Sequence, residues 1–269
     1  MNEYISQYNV EWPKLYELEK NIIVNALRNN LISIHHIGST ALPGMIAKPK
    51  IDIIAEVECG KTSINALSEI GYVYKGEWNI PFKYGFTKRK TIKVNLHVFE
   101  KGHPEIELNL AFKNYMLQNA AACEEYSKLK QSLVQSERAH EIQTSIFNDY
   151  NLKKDTFIRK IIDLTGFKKL RFLHCTHYAE WNEYHRIKQN EIFSRIPNIV
   201  YDLNHPHITD KNHYHFVLCE GVKVVGIGHV ENLENSEWGL RGLAISKEDQ
   251  NKGLGKYLLS MLEQWCKLH

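Results

Sequence analysis

The chain has no apolar run long enough to cross a membrane as a helix, so no membrane partner is expected. Met1-Asn2-Glu3-Tyr4 lacks the basic-then-apolar pattern of a signal peptide. Cysteine is scarce and unpatterned. Cys59, Cys123, Cys175, Cys219 and Cys266 are odd in number and never form a Cys-x-x-Cys pair, which reads as reduced thiols in a cytoplasmic protein. A large excess of one charge is missing too. The net charge of +3 is too small to make nucleic acid the main partner. Neither an internal repeat nor a low-complexity segment is found. What remains is a globular composition, 43% hydrophobic and 24% charged, in 269 residues, room for two domains.

The first half alternates helix and strand patterns. Pro13 to Asn29 reads as a helix with Leu15, Leu18, Ile22 and Ala26 on one face. Leu31 to Ile34 is a short strand leading into His36-Ile37-Gly38-Ser39-Thr40. In Lys50 to Val57, Ile51, Ile53, Ala55 and Val57 face one way and Asp52, Ile54 and Glu56 the other. A short helix at Thr62–Ile70, strands near Lys83–Lys88 and Thr91–Phe99, and a helical stretch from Pro104 to Leu164 follow. Lys83, Lys88, Arg89, Lys90 and Lys93 read as a solvated hairpin edge, because clustered charge is usually a wet face.

Gly38-Ser39 ahead of Asp52 has the spacing of a nucleotidyltransferase site, in which the turn opens a helix and holds phosphate oxygens. The longer string from His36 to Gly44, with Ala47-Lys48-Pro49 and Ile51-Asp52-Ile53, resembles the GrpB family. The likeness continues through Gly71-Tyr72, Gly76-Glu77, Leu96-His97-Val98 and Glu125-Tyr126. That family looks like a divergent branch of the polymerase-beta-like nucleotidyltransferases. The resemblance implies a mixed sheet with helices and a nucleotide or phosphorylated ligand, with magnesium if a nucleotide is turned over. His36, Gly38, Ser39, Lys48, Asp52 and His97 would line the site. Two-metal chemistry needs a second carboxylate two residues after Asp52, where Ile54 stands; Asn95 and His97 occupy the neighbouring strand. Binding is therefore favoured over nucleotidyl transfer.

Thr165-Gly166-Phe167-Lys168-Lys169 reads as a seam, giving domains 1–167 and 168–269. Beyond it come a strand at Leu170–Cys175, a helix around Ala179–Arg195, and strands at Tyr214–Glu220, Lys223–Val230 and Trp238–Ile245. A helix from Lys256 has Tyr257, Leu258, Met261, Leu262 and Trp265 on its apolar side. Between the last strand and this helix lies Gln250-Asn251-Lys252-Gly253-Leu254-Gly255, an arrangement that points main-chain N–H groups at an anion. His205, His207, His213 and His215 lack the ligand spacings of a zinc site, so no metal is expected; His213 and His215 read as the solvent or substrate side of their strand.

Gln250, Gly253 and Gly255, preceded by Leu240 to Ile245, resemble the GNAT acetyltransferase superfamily. The resemblance implies CoA-dependent acetyl transfer to an amine substrate. Amides from Asn251 to Lys256 would bind the pyrophosphate of acetyl-CoA. The Leu243, Ala244 and Ile245 backbone would pair with its pantetheine arm. A carboxylate or an ordered water must take a proton from the amine, with Glu237 the first candidate and Glu231 the second. Members of that superfamily continue with further strands, whereas here Lys256 to His269 ends the sequence. The expectation is a truncated GNAT-like α/β domain with an open sheet edge prone to oligomer formation. The fold class expected overall is α/β (α+β). A metal-dependent nucleotidyltransferase and a non-catalytic binding protein with a remnant second domain are the alternatives.

Overall fold

The computed structural model describes residues 5–135, 152–235 and 237–269. The chain divides into two compact units, Met1–Trp78 with Phe82–Phe167, and Lys168–His269 with Asn79–Pro81.

In the first unit, helix α1 (Trp12–Leu27) carries Pro13 in its first turn, where the missing N–H costs nothing. Its buried stripe is Trp12, Tyr16, Glu19, Ile23 and Leu27, one residue out of phase with the expected face; Leu18 and Ile22 are exposed. The reason lies in Glu19, which apolar patterning assigns to solvent. Its carboxylate accepts from Tyr72 Oη at 2.8 Å and Lys88 Nζ at 2.7 Å, so it is buried at 2% exposure without an unpaired charge.

Strands β1 (Leu31–Ile37), β2 (Ile51–Val57), β3 (Val73–Gly76), β4 (Tyr84–Arg89) and β5 (Lys93–Glu100) form one sheet in the order β1-β2-β5-β4-β3. β2 and β5 are parallel and the other pairs antiparallel. Ile51, Ile53, Ala55 and Val57 bury against α1 and helix α2 (Gly60–Glu69), together with Val94, Leu96 and Val98. The parallel register sets Asp52 beside Asn95 and Ile54 beside His97 on the opposite face. Helices α3 (Pro104–Gln118), α4 (Ala120–Gln135) and α5 (Asp155–Leu164) bring Met116, Tyr126, Phe157 and Ile161 against Leu42 and Met45. Part of the helical stretch expected from Pro104 to Leu164, residues 136–151, lies outside the described residues.

The basic cluster is not a uniformly wet edge. Lys83 is 2% exposed, with Nζ 4.6 Å from the centre of the Trp78 ring, and burial pushes its ammonium down to about 8. Lys88 reaches the buried Glu19, and Arg89 donates to Asn95 Oδ1 at 2.6 Å. Lys83 and Lys88 are held by partners rather than by water, whereas Arg89, Lys90 and Lys93 are exposed, as a solvated edge requires.

The second unit is an antiparallel sheet of β6 (Leu170–His174), β7 (His213–Glu220), β8 (Lys223–Asn232) and β9 (Trp238–Ile245), in that order. Helix α6 (Tyr178–Glu191) covers one face through Tyr184 and Ile187, against Val217, Cys219, Ile227 and Ala244. Helix α7 (Leu254–Leu268) covers the other through Leu258, Leu262 and Trp265. It approaches closely because β8 carries Gly228: a Cβ there would stand 2.8 Å from Leu262 Cδ1. His213 and His215 contradict their sequence reading. They share a face, as alternation demands, but that face lies beneath α6, and the two are only 8% and 6% exposed. Among the described residues no helix is long and apolar enough to cross a membrane.

Candidate functional site

β9 is an edge strand, paired with β8 alone among the described residues. Its last residues, Leu243 to Ile245, run into a one-turn 3-10 segment, Lys247–Asp249. Asp249, buried at its side chain, anchors this bend by accepting from Lys223 Nζ at 2.6 Å and Lys252 Nζ at 2.7 Å. Gln250 Nε2 donates to the Ile245 carbonyl at 2.9 Å and to Glu191 Oε2 at 3.0 Å. Asn251 (φ 62°) and Gly253 (φ 79°) then take the left-handed conformation that turns the chain into α7. No side chain caps α7. The N–H groups of its first turn have no intrahelical acceptors, and the helix dipole places partial positive charge there.

The bend and the strand edge enclose a cleft of about 350 Å³. It brings together Leu243, Ala244, Ile245, Gln250, Asn251, Gly253, Leu254 and Gly255 of the expected residues. Lys252 turns to Asp249 instead, and Lys256 is exposed on the first turn of α7. Glu191 and Arg195 also line the cleft. Sequence reasoning missed both, and the Glu191–Gln250 bond that ties them in comes from tertiary packing, which local spacing does not carry.

Between the His229–Gly242 and Val230–Leu240 pairs the register slips, leaving Arg241 as an extra residue in β9. Glu231, opposite Gly239, forms an ion pair with Arg241 beside this bulge. Glu237 stands apart, exposed in the turn before β9, its N–H bonded to the Glu234 carbonyl at 2.9 Å.

In the first unit, Ser39, Thr40, Lys48, Lys50, Asp52 and Lys154 line a smaller pocket of about 150 Å³. Gly38 is required twice over: its φ is 69°, and a Cβ would stand 2.9 Å from Asp52 Oδ2. Ser39 opens a three-residue 3-10 turn, not the helix start expected, so no long helix dipole faces the pocket. Lys130 supplies positive charge instead, donating to Ser39 Oγ at 2.5 Å and to the Ile46 carbonyl at 2.9 Å. Burial pushes the Lys130 ammonium down to about 7. It does the same to Lys154, helped by Lys48, Lys130 and Lys50 and opposed by Asp52. Lys130 and Lys154 were missed because they reach the pocket from distant parts of the chain; Lys50, two residues from Asp52, was missed although it is local.

Two expected residues lie elsewhere. His36 pairs in register with Ile53 and stacks on Tyr16 at 4.6 Å, on the α1 side of the sheet; burial holds its imidazole at about 4. His97 is on the Asp52 face without lining the pocket, and burial followed by Lys83 and Lys50 pushes it to about 3. Asp52 accepts from Asn95 Nδ2 at 2.7 Å, with Lys50 Nζ 3.9 Å away. One carboxylate among lysines does not fit a magnesium ion, which needs several oxygen ligands.

A mixed sheet with a lysine-lined turn, followed by an antiparallel sheet that ends in a glycine loop and helix, defines a two-part α/β protein. Residues 4–164 match the model described as GrpB protein, and residues 171–269 match that of the acetyltransferase (GNAT) family. The first match spans more than half of the sequence, and the chain belongs to the GrpB family, with a GNAT acetyltransferase domain following. It is 34% identical over 137 residues to the UPF0157 protein BH1888 of Halalkalibacterium halodurans, covering 49% of this chain and 69% of that one. It is 35% identical over 160 residues to the UPF0157 protein YqkA of Bacillus subtilis, covering 56% of this chain but only 44% of YqkA. The crystal structure of conserved protein GrpB from Enterococcus faecalis is similar with a TM-score of 0.53 at 30% identity, over 60% of this chain and 96% of that one. Acyl transfer is the general class of chemistry that the second domain brings.

Proposed function

We propose that the second unit binds acetyl-CoA and passes its acetyl group to an amine. The observation that carries this reading is the uncapped start of α7, reached through two left-handed residues, directly after an open strand edge. Diphosphate oxygens would accept from the main-chain amides of residues 251–256, with no side chain to displace. The pantetheine arm would lie along Ile245, Ala244 and Leu243 as an added strand. Its thioester end would then come beside Gly242 and Arg241, at the bulge.

The amine nitrogen attacks the thioester carbon, the C–S bond breaks, and the thiolate takes up a proton. Glu231, beside the bulge, is the better-supported proton acceptor. Glu237 lies five residues from Gly242, roughly 16 Å along an extended strand. Calorimetry and thermal melting with acetyl-CoA, CoA and ATP test the reading. Acetyl-CoA at about a hundredfold over its Kd should stabilise the second unit by ~2.7 kcal/mol. No shift with either CoA compound would leave a binding protein with a remnant domain.

A second reading concerns the first unit. Lys48, Lys50, Lys130 and Lys154 around Asp52 favour a compact phosphate-bearing anion, a nucleotide or another phosphorylated ligand, held without a metal. Pyrophosphate binding unchanged by a chelator supports it; binding that requires magnesium returns the nucleotidyltransferase alternative.

A further inference from the structure

Beneath α6 the second unit buries a chain of titratable groups outside the cofactor cleft. Lys188 Nζ lies 3.1 Å from Tyr184 Oη and 3.3 Å from His229 Nδ1. His229 Nε2 is 2.8 Å from His213 Nδ1, and His213 Nε2 is 3.6 Å from Glu231 Oε1. On a second arm, Tyr184 Oη is 2.9 Å from His215 Nδ1, and His215 Nε2 is 2.8 Å from the His207 carbonyl. Tyr184, Lys188, His213, His215 and His229 are all buried.

Donor accounting fixes the second arm. The His207 carbonyl only accepts, so His215 carries its proton on Nε2 and its Nδ1 takes the Tyr184 hydroxyl proton. Lys188 must then donate to the Tyr184 oxygen. The first arm has two complete solutions. In one, Lys188 is an ammonium donating to His229 Nδ1, both histidines carry Nε2–H, and Glu231 is a carboxylate. In the other, Lys188 is an amine accepting from His229 Nδ1–H, both histidines carry Nδ1–H, and Glu231 is protonated. The two hold the same number of protons and differ by a one-step shift along each of the three links.

We propose that Glu231, His213, His229 and Lys188 form a proton relay for acetyl transfer, with Glu231 its front end beside the β9 bulge and Lys188 its buried store. This rests on the acetyl-transfer reading of the same unit. The geometry suits it, since Gly242 opposes His229 in register and puts no side chain over it. The relay starts one proton short of these two states, with Lys188 an amine, Nδ1–H on both histidines and Glu231 a carboxylate; the acceptor arrives as R–NH3⁺ and gives one proton to Glu231. Its nitrogen bonds to the thioester carbon, the C–S bond breaks, and the second nitrogen proton goes to the CoA thiolate. Once Glu231 closes the 3.6 Å gap to hydrogen-bond length, its proton moves to His213 Nε2 as Nδ1–H of His213 passes to His229 Nε2 and Nδ1–H of His229 to the Lys188 amine. Once product has left, the same shifts run backward and Glu231 gives the proton to water, which restores the starting tautomers. Tyr184 and His185 of α6, Cys175, Tyr201, His205 and His207, Asp210, His213 and His215, His229 and Glu231, and Arg241 of β9 are titratable and charged groups around the relay. Burial holds the Lys188 ammonium down to about 8, so it exchanges a proton close to neutral pH.

The test uses the whole chain, with acetyl-CoA and spermidine as probe substrates and nitrogen-labelled histidine for NMR. Lys188→Met should leave acetyl-CoA KM unchanged, lower kcat roughly 100-fold and abolish the rise in rate as pH climbs through about 8. Lys188→Arg, which keeps the charge but cannot give up its proton, should not restore the rate. In the NMR arm, Lys188→Met should change the ring-nitrogen signals of both His229 and His213. Unchanged signals, or full rescue by arginine, would overturn the relay even in an active enzyme. A chain that does not bind acetyl-CoA at all sinks the acetyl-transfer reading, and the relay's role in it, by a separate measurement.

Discussion

The lysine pocket of the first unit and the glycine loop of the second would meet an anion in opposite ways. Around Asp52 the positive charge is carried by long side chains converging from the segment before β2, from α4 and from the segment before α5. At Gly253 it is carried by the main chain, fixed by two left-handed residues and the Asp249 anchor. Side-chain cations can be removed one at a time and are weakened by salt and by loss of their protons. Main-chain amides survive every substitution except proline; otherwise they are defeated only by filling the space in front of them.

That contrast can be broken most sharply at Gly255, whose Cβ position meets nothing closer than Ile245 Cγ1 at 3.8 Å and whose φ is not left-handed. Gly255→Trp should fill the cleft and weaken acetyl-CoA at least about 100-fold by calorimetry, a loss of ~2.7 kcal/mol. The pyrophosphate response of the first unit should be unaffected. If both responses fall together, the two sites are not separate. Lys154→Met comes next, with pyrophosphate affinity lowered about tenfold while acetyl-CoA binding persists. Raising salt from ~50 to ~200 mM should likewise weaken pyrophosphate more than acetyl-CoA, because pyrophosphate would be held by charge alone and acetyl-CoA also by strand pairing.

Acid should sharpen the comparison on the stability side. Burial before all else holds His215 at about 4 and His229 at about 2 in the folded second unit, against 6.5 for the free imidazole. Above pH 6.5 neither the folded nor the unfolded state binds these protons, and the native contribution is complete. As pH falls from 6.5 toward 4 the unfolded chain takes up protons that the folded one refuses, so stability drops. Urea melts at pH 7.5 and pH 5 should show a lower midpoint at pH 5, and His215→Gln or His229→Gln should flatten that dependence. The smallest effect is expected from Asp52→Asn. Removing the one carboxylate from the lysine pocket should tighten pyrophosphate by a few-fold, roughly 1 kcal/mol, with no help from magnesium. A loss of binding instead would make Asp52 a ligand rather than a counter-charge.

The glycine loop was legible because everything that defines it is local: a strand, a bend, two left-handed positions and a helix within a few residues. The alternation of β2 was legible for the same reason, and it put Asp52 on the correct face. Glu19 was not. A carboxylate in a helix reads as solvated until Tyr72 and Lys88, far along the chain, supply its partners. Lys83 failed the same way through Trp78. The short edge strand β3 is too brief to show a period. For His213 and His215, alternation identified which residues share a face but held no information on which face α6 would cover. Lys130 and Lys154 failed on distance in sequence, since they stand 91 and 115 positions after Ser39.

Gln250 has one more consequence. By spending an amide proton on the Ile245 carbonyl, it withdraws the last acceptor of the β9 edge from any incoming partner. The open ladder therefore has a stop at one end, and an extended guest must begin its pairing one step further in. This side chain works as a ruler, setting how far a bound chain of fixed length reaches toward the bulge. Gln250→Glu would turn that ruler against itself, facing a carboxylate toward both the carbonyl and Glu191.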